Sequence, residues 1–124
     1  MNNAAVPRVL VTGASGFVGQ RLTYRLEESG RPVRAVFRRL GSASKSGKVE
    51  SIFTGDSSPE FCWQAALLGV DSIVHLAARV HVIHETATDA LAEFRRVNVL
   101  GTLQLARQAA DSGVRRFVFV SSVK

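Results

Sequence analysis

Along the 124 residues, short apolar runs alternate with segments in which apolar residues recur every three or four positions. Residues 8–11 form one such run, closed by Thr12 and Gly13, and read as a buried strand. Residues 17–29 carry Val18, Leu22 and Leu26 four apart, which predicts a helix; Gly30 closes it and Pro32 forbids its continuation. A second strand is expected over 33–37, a flexible polar loop over 41–48 and a third strand over 49–53. Next comes a well-punctuated helix: Ser58 can cap it, Pro59 suits its first position and Gly69 stands just past its end. Residues 72–76 predict a fourth strand, 77–88 an irregular loop, 89–112 a long helix ended by Gly113, and 117–120 a fifth strand.

Strands this continuously apolar, alternating with helices, belong in a parallel sheet covered on both faces. Right-handed crossovers favour the doubly wound order 3-2-1-4-5 in a three-layer α/β/α domain. Ligands of such sheets bind at the carboxyl ends of the strands, where the order reverses between strands 1 and 4. The notable motifs fall there. The chain shows no internal repeat and no linker, so one domain is expected.

The first of these motifs is Thr12-Gly13-Ala14-Ser15-Gly16-Phe17-Val18-Gly19, with glycines three apart between a strand and a helix. Gly13 would allow the tight turn and Gly16 the close approach of a pyrophosphate. Gly19 would let the helix pack closely on the sheet, while free amides at the helix start face the anion. This is the Rossmann-type dinucleotide signature in its proper context. On the last predicted helix, Leu91, Phe94, Val97, Val99, Leu103, Leu105, Ala106 and Ala109 form an apolar surface too broad for the sheet alone, which suggests a partner helix. Asn98 projects from its middle, and a buried amide there either braces the backbone or meets a ligand.

Composition narrows the classes. Apolar residues make up 46% and charged residues 21%, an ordinary globular balance. No apolar run approaches the roughly 20 residues of a membrane helix, and the start lacks the pattern of a secretory signal. The single cysteine, Cys62, fits a reducing compartment, and a soluble cytoplasmic protein is expected. The net charge of +6 includes thirteen arginines, which suit an anionic partner. They are scattered, and the glycine loop favours a phosphate-bearing small molecule over nucleic acid.

The pieces TGASGFVG (12–19), TGD (54–56), HLAA (75–78), NVLGT (98–102) and FVFVSS (117–122), in this order, resemble the extended short-chain dehydrogenase/reductases, specifically the NAD-dependent epimerase/dehydratases of nucleotide sugars. The ending VSSVK resembles their nucleotide-sugar epimerase branch. The resemblance implies that Phe17 and Val18 lie against the pyrophosphate, Asp56 and Ser57 near the adenine, and Leu76, Ala77 and Ala78 along the cofactor. It sets Asn98 beside the nicotinamide ribose and makes Ser122 the catalytic hydroxyl. Read alone, Asp56 is either an acceptor for the adenine amino group or a local cap.

Two features depart from the pattern. The carboxylate that NAD enzymes carry at the end of strand 2 is replaced by Phe37, followed by Arg38 and Arg39. An arginine could pair with a 2′-phosphate, so NADP is favoured over NAD, unless both arginines are merely solvated. The family's base is a tyrosine with a lysine four residues later; here the one tyrosine, Tyr24, is followed at that spacing by Glu28. The expectation is therefore the amino-terminal part of a longer enzyme, ending after strand 5, lacking its substrate domain and inactive alone. Its strand 5 edge or last helix would be open to a second copy. Competing readings are an NADPH-dependent ketone reductase of the same superfamily and a non-catalytic dinucleotide-sensing module.

Minor constellations point elsewhere only weakly. His81, His84 and Glu85 lack a second ligand cluster, and His75, ending an apolar strand, reads as a satisfied core histidine, so no metal site is expected. Cys62 and Trp63 read as packing residues, and Arg115 and Arg116 as solvated ones.

Overall fold

A computed structural model describes residues 6–39, 48–55, 59–78 and 89–121. Five parallel strands, β1 (Arg8–Thr12), β2 (Val33–Phe37), β3 (Glu50–Phe53), β4 (Val70–His75) and β5 (Arg116–Phe119), form one sheet in the order β3-β2-β1-β4-β5. The expected doubly wound topology is thus present. Val9 lies opposite Val33 on one side and Ser72 on the other, which brings the carboxyl ends of β1 and β4 level at Thr12 and His75.

Side chains alternate across the sheet and build two cores. Leu10, Val36 and Ile73 face a cluster with Trp63, Leu67, Leu105 and Ala109. Val9, Val11, Val33, Ala35 and Phe37 face the other side, where Leu22 and Leu26 of α1 (Phe17–Glu28) pack. Both faces are therefore covered, as nearly continuous apolar strands require. Gly30 ends the α1 turn at φ +79°.

The helix expected over 59–68 does not form: turns and irregular chain run from 59 to 69, and the capping residue Ser58 lies outside the described residues. The local signals were sound, but a distant side chain takes an amide that a helix would use, while the carbonyls held by Arg34 are ones a helix ending there would leave unpaired. The Trp63 amide donates to Gln108 Oε1 at 2.7 Å. The buried Arg34 guanidinium donates to the carbonyls of Ala66 and Leu68. A single helical turn survives, with Leu67 N–H on the Trp63 carbonyl. Trp63 is buried edge-on against Phe61, whereas Cys62, expected to pack, is exposed.

The long last helix forms with an interruption. Asp89 caps α2 (Ala90–Arg95) by accepting from the Ala92 amide at 3.0 Å. A π-helical turn follows at Arg96–Leu100, and α3 runs over Gly101–Asp111. The broad apolar surface divides: Leu105 and Ala109 are buried, while Leu91, Val99, Leu100 and Leu103 stay exposed. On β5, Phe117 packs inward and Val118 and Phe119 are about half exposed.

Candidate functional site

The turn from β1 into α1 is shaped by close backbone contacts. Gly13 has φ +65°, and a Cβ there would stand 2.7 Å from the Ala77 nitrogen and the Leu76 carbonyl carbon just past β4. A Cβ on Gly19 would stand 2.1 Å from the Gly13 oxygen, so its close approach is to the turn itself and not to the sheet as expected. Both positions are closed to any side chain by the protein's own atoms. Gly16 differs: it is exposed, its φ of −74° suits any residue, and a Cβ would meet nothing nearer than 3.4 Å. Among the described residues no atom accounts for glycine there.

Gly16 caps α1 without a side-chain bond, and no acidic residue occupies the first turn. The turn is braced from outside, with Gln20 Nε2 donating to the Ser15 carbonyl at 2.7 Å. The first amides of α1 therefore face outward with the positive end of the helix behind them. Ser15, Phe17 and Val18 are exposed around them, Phe17 at 86%.

The end of β4 is held in place by side chains. Thr12 Oγ1 accepts from the amides of Leu76 (3.0 Å) and Ala77 (3.1 Å), which pins the chain leaving β4 onto the β1 turn. The same oxygen bonds His75 Nδ1 at 2.7 Å, and His75 Nε2 bonds Thr102 Oγ1 on α3 at 2.9 Å. The imidazole is 7% exposed, with Phe117 and Phe119 each at a centroid distance of 6.0 Å. Burial lowers its pKa from the usual 6.5 to about 4, so it is neutral at physiological pH. His75 is thus the satisfied core histidine expected from its place in the strand.

Between the carboxyl ends of β4 and β5 and the start of α3 opens a cavity of about 290 Å³, lined in part by Leu76, Ala77, Ala78, Asn98, Thr102 and Phe119. Four of the residues expected at a cofactor are brought together here. The π-helical turn carries Asn98, and such turns widen a helix locally and recur at functional sites. Thr102 and Phe119 went unnoticed in the sequence; the signal for Thr102 was its place four residues after Asn98, one turn along the same face.

Elsewhere, Phe37 is buried and ends β2 with no carboxylate, and Arg38 and Arg39 are exposed beyond it. Asp56, Ser57 and Ser122 lie outside the described residues, as do His81, His84 and Glu85. Among the described residues no group of three or more His, Cys, Asp or Glu could hold a metal ion. Nor is any described helix long and apolar enough to cross a membrane. Arg115 and Arg116 are exposed at the amino end of β5.

A doubly wound parallel sheet with a glycine turn at its reversal point defines a Rossmann-type protein of the short-chain dehydrogenase/reductase kind. More narrowly, residues 9–124 match the NAD dependent epimerase/dehydratase family, and the chain belongs to it. It is 37% identical over 117 residues to a UDP-glucose 4-epimerase of Vibrio cholerae, covering 94% of this chain and 35% of that protein. It is 38% identical over 120 residues to a 3-beta-hydroxysteroid dehydrogenase of Mycolicibacterium neoaurum, covering 93% of this chain and 32% of that protein. Among solved structures, MoeE5 in complex with UDP-glucuronic acid and NAD superimposes with a TM-score of 0.77 at 36% identity, covering 93% of this chain and 36% of that one. The chain spans about a third of the length of these curated relatives.

Proposed function

We propose that the chain is the dinucleotide-binding part of an NAD(P)-dependent nucleotide-sugar epimerase or dehydratase. Gly16 carries this reading. Gly13 and Gly19 are explained by the protein's own packing, whereas glycine at 16 is explained by a phosphate lying where a methyl group would otherwise project. In this reading Gly13, Ser15, Gly16, Phe17, Val18 and Gly19 receive the pyrophosphate, and Asp56 and Ser57 flank the adenine. Leu76, Ala77, Ala78 and Asn98 line the nicotinamide end, and Ser122 orients the reacting sugar hydroxyl. The bound dinucleotide supplies hydride acceptance and return at a sugar carbon. No Tyr-x-x-x-Lys occurs in these 124 residues, so they bind cofactor without supplying the base, and alone turn over no sugar. The relatives' names support a nucleotide-sugar substrate for the whole protein.

Phe37, Arg38 and Arg39 favour a 2′-phosphate and keep an NADPH-dependent ketone reductase as the second reading. The exposed Leu91, Val99 and Leu103 support pairing with a second copy, and the unpaired Cys62 supports a cytoplasmic setting. Titration of the protein with NADH and NADPH tests the whole reading. Both should bind, and replacing Arg38 and Arg39 by alanine should weaken NADPH about tenfold while sparing NADH. A folded protein that binds neither dinucleotide would retire the proposal. Unchanged NADPH affinity in the double variant would make the arginines ordinary surface.

A further inference from the structure

The hydrogen bonds linking Thr12, His75 and Thr102 have a direction that can be derived. A hydroxyl has one hydrogen to donate and two lone pairs to accept with. Thr12 Oγ1 already accepts from the Leu76 and Ala77 amides, which occupies both lone pairs. Its hydrogen therefore goes to His75 Nδ1 at 2.7 Å. An imidazole that accepts at Nδ1 and is neutral carries its proton on Nε2, so Nε2–H donates to Thr102 Oγ1 at 2.9 Å. Thr102 then has its own hydrogen left over. Its hydroxyl makes no other hydrogen bond among the described residues, and Thr102 lines the cavity beside Asn98.

From this chain of donors we infer that Thr102 is a ligand-contacting group, its O–H aimed into the cleft by a tautomer-locked His75 and given to an acceptor oxygen on the nicotinamide end of the bound dinucleotide. The inference rests on the dinucleotide reading above and adds a residue to it. His75 is a positioning residue. It fixes the lone pair that Thr102 presents inward and thereby the direction left for the hydrogen. Phe117 and Phe119 stand beside the ring, each with its centroid 6.0 Å from that of the imidazole. Donation in series also strengthens each bond, since a hydroxyl that accepts a bond becomes a better donor.

The test compares NADH with ADP, which keeps the adenosine and pyrophosphate but has neither the nicotinamide nor its ribose. Thr102→Val removes the hydroxyl at nearly constant shape and should weaken NADH about five- to tenfold while leaving ADP unchanged. Thr102→Ser keeps the donor and should bind both as the parent does. Equal NADH affinity in the valine variant and the parent would overturn the inference and leave dinucleotide binding intact. Failure of the parent to bind ADP and NADH would instead overturn both. A structural role alone would weaken both ligands in parallel, which would also overturn it. Should the valine variant not fold, nitrogen-15 spectra of His75 in the parent decide. A proton on Nε2 and none on Nδ1 is expected, and the opposite tautomer would reverse every donor in the chain and overturn the inference.

Discussion

The glycine turn after β1 and the cavity between β4 and α3 are walled with different materials. On the β1–α1 side the wall is backbone: Gly13 and Gly19 touch neighbouring main-chain atoms so closely that no Cβ fits. On the β4–α3 side Thr102 and Asn98 line the cavity with their side chains, and Thr102 is tied through His75 to Thr12 of β1. A backbone wall offers amides whose positions are set by the turn, insensitive to pH and intolerant of substitution. A side-chain wall offers directed hydroxyls, at the cost of a buried titratable ring. In the proposed reading, the difference teaches that the phosphates of a dinucleotide can be met by main chain alone, whereas its reactive end needs groups that can be oriented.

Substitution at Gly19 tests the contrast most severely. Gly19→Ala places a methyl 2.1 Å from the Gly13 oxygen, where only backbone movement can relieve it, and should cost about 3 kcal/mol or more in urea unfolding. Tolerance of alanine there would show that the backbone wall is softer than its contacts imply.

Acid should break the other wall. The unfolded chain takes up a proton on His75 as the pH falls through 6.5, and the folded protein only near 4, because burial disfavours the imidazolium. Between those values the unfolded state binds more protons, so stability falls as the pH is lowered, by up to about 3 kcal/mol. His75→Phe should flatten that part of the stability profile, measured by denaturant titration at several pH values, whatever its effect on absolute stability. A profile unchanged by the substitution would assign the acid sensitivity elsewhere.

The smallest effect on stability, and the most informative on binding, is expected at Gly16. Gly16→Ala should leave the unfolding midpoint nearly unchanged, because a Cβ meets only ordinary contacts, yet weaken NADH about tenfold by projecting at the pyrophosphate. Loss of stability without loss of binding would make Gly16 a structural glycine like its neighbours and remove the main support for the cofactor site.

Much of this architecture was legible in the chain. The runs at 8–11 and 33–37 appear as β1 and β2 within a residue, because strands buried on both faces are continuously apolar and leave little choice of register. Gly30 and Gly113 stop their helices at positive φ, a local requirement that local sequence can announce. The span 59–69 shows the opposite case. Ser58, Pro59 and Gly69 are proper helix punctuation, but Gln108, far along the chain, captures the Trp63 amide between them. The interruption at Arg96–Leu100 was equally hidden, since apolar periodicity continues straight through it.

The sequence by itself determined the sheet, its order and the location of the cleft, because strand burial, helix period and the handedness of crossovers are written in residue type and spacing. It also marked most of the residues at that cleft. Only the tertiary structure decided what those residues do to one another. Gly19 is needed for the oxygen of Gly13, Thr12 for the amides of Leu76 and Ala77, and Thr102 for a histidine 27 positions earlier. Hydrogen-bond direction is a property of several groups sharing lone pairs in one place. Residues that meet across three elements carry no sign of it until the fold brings their atoms within reach.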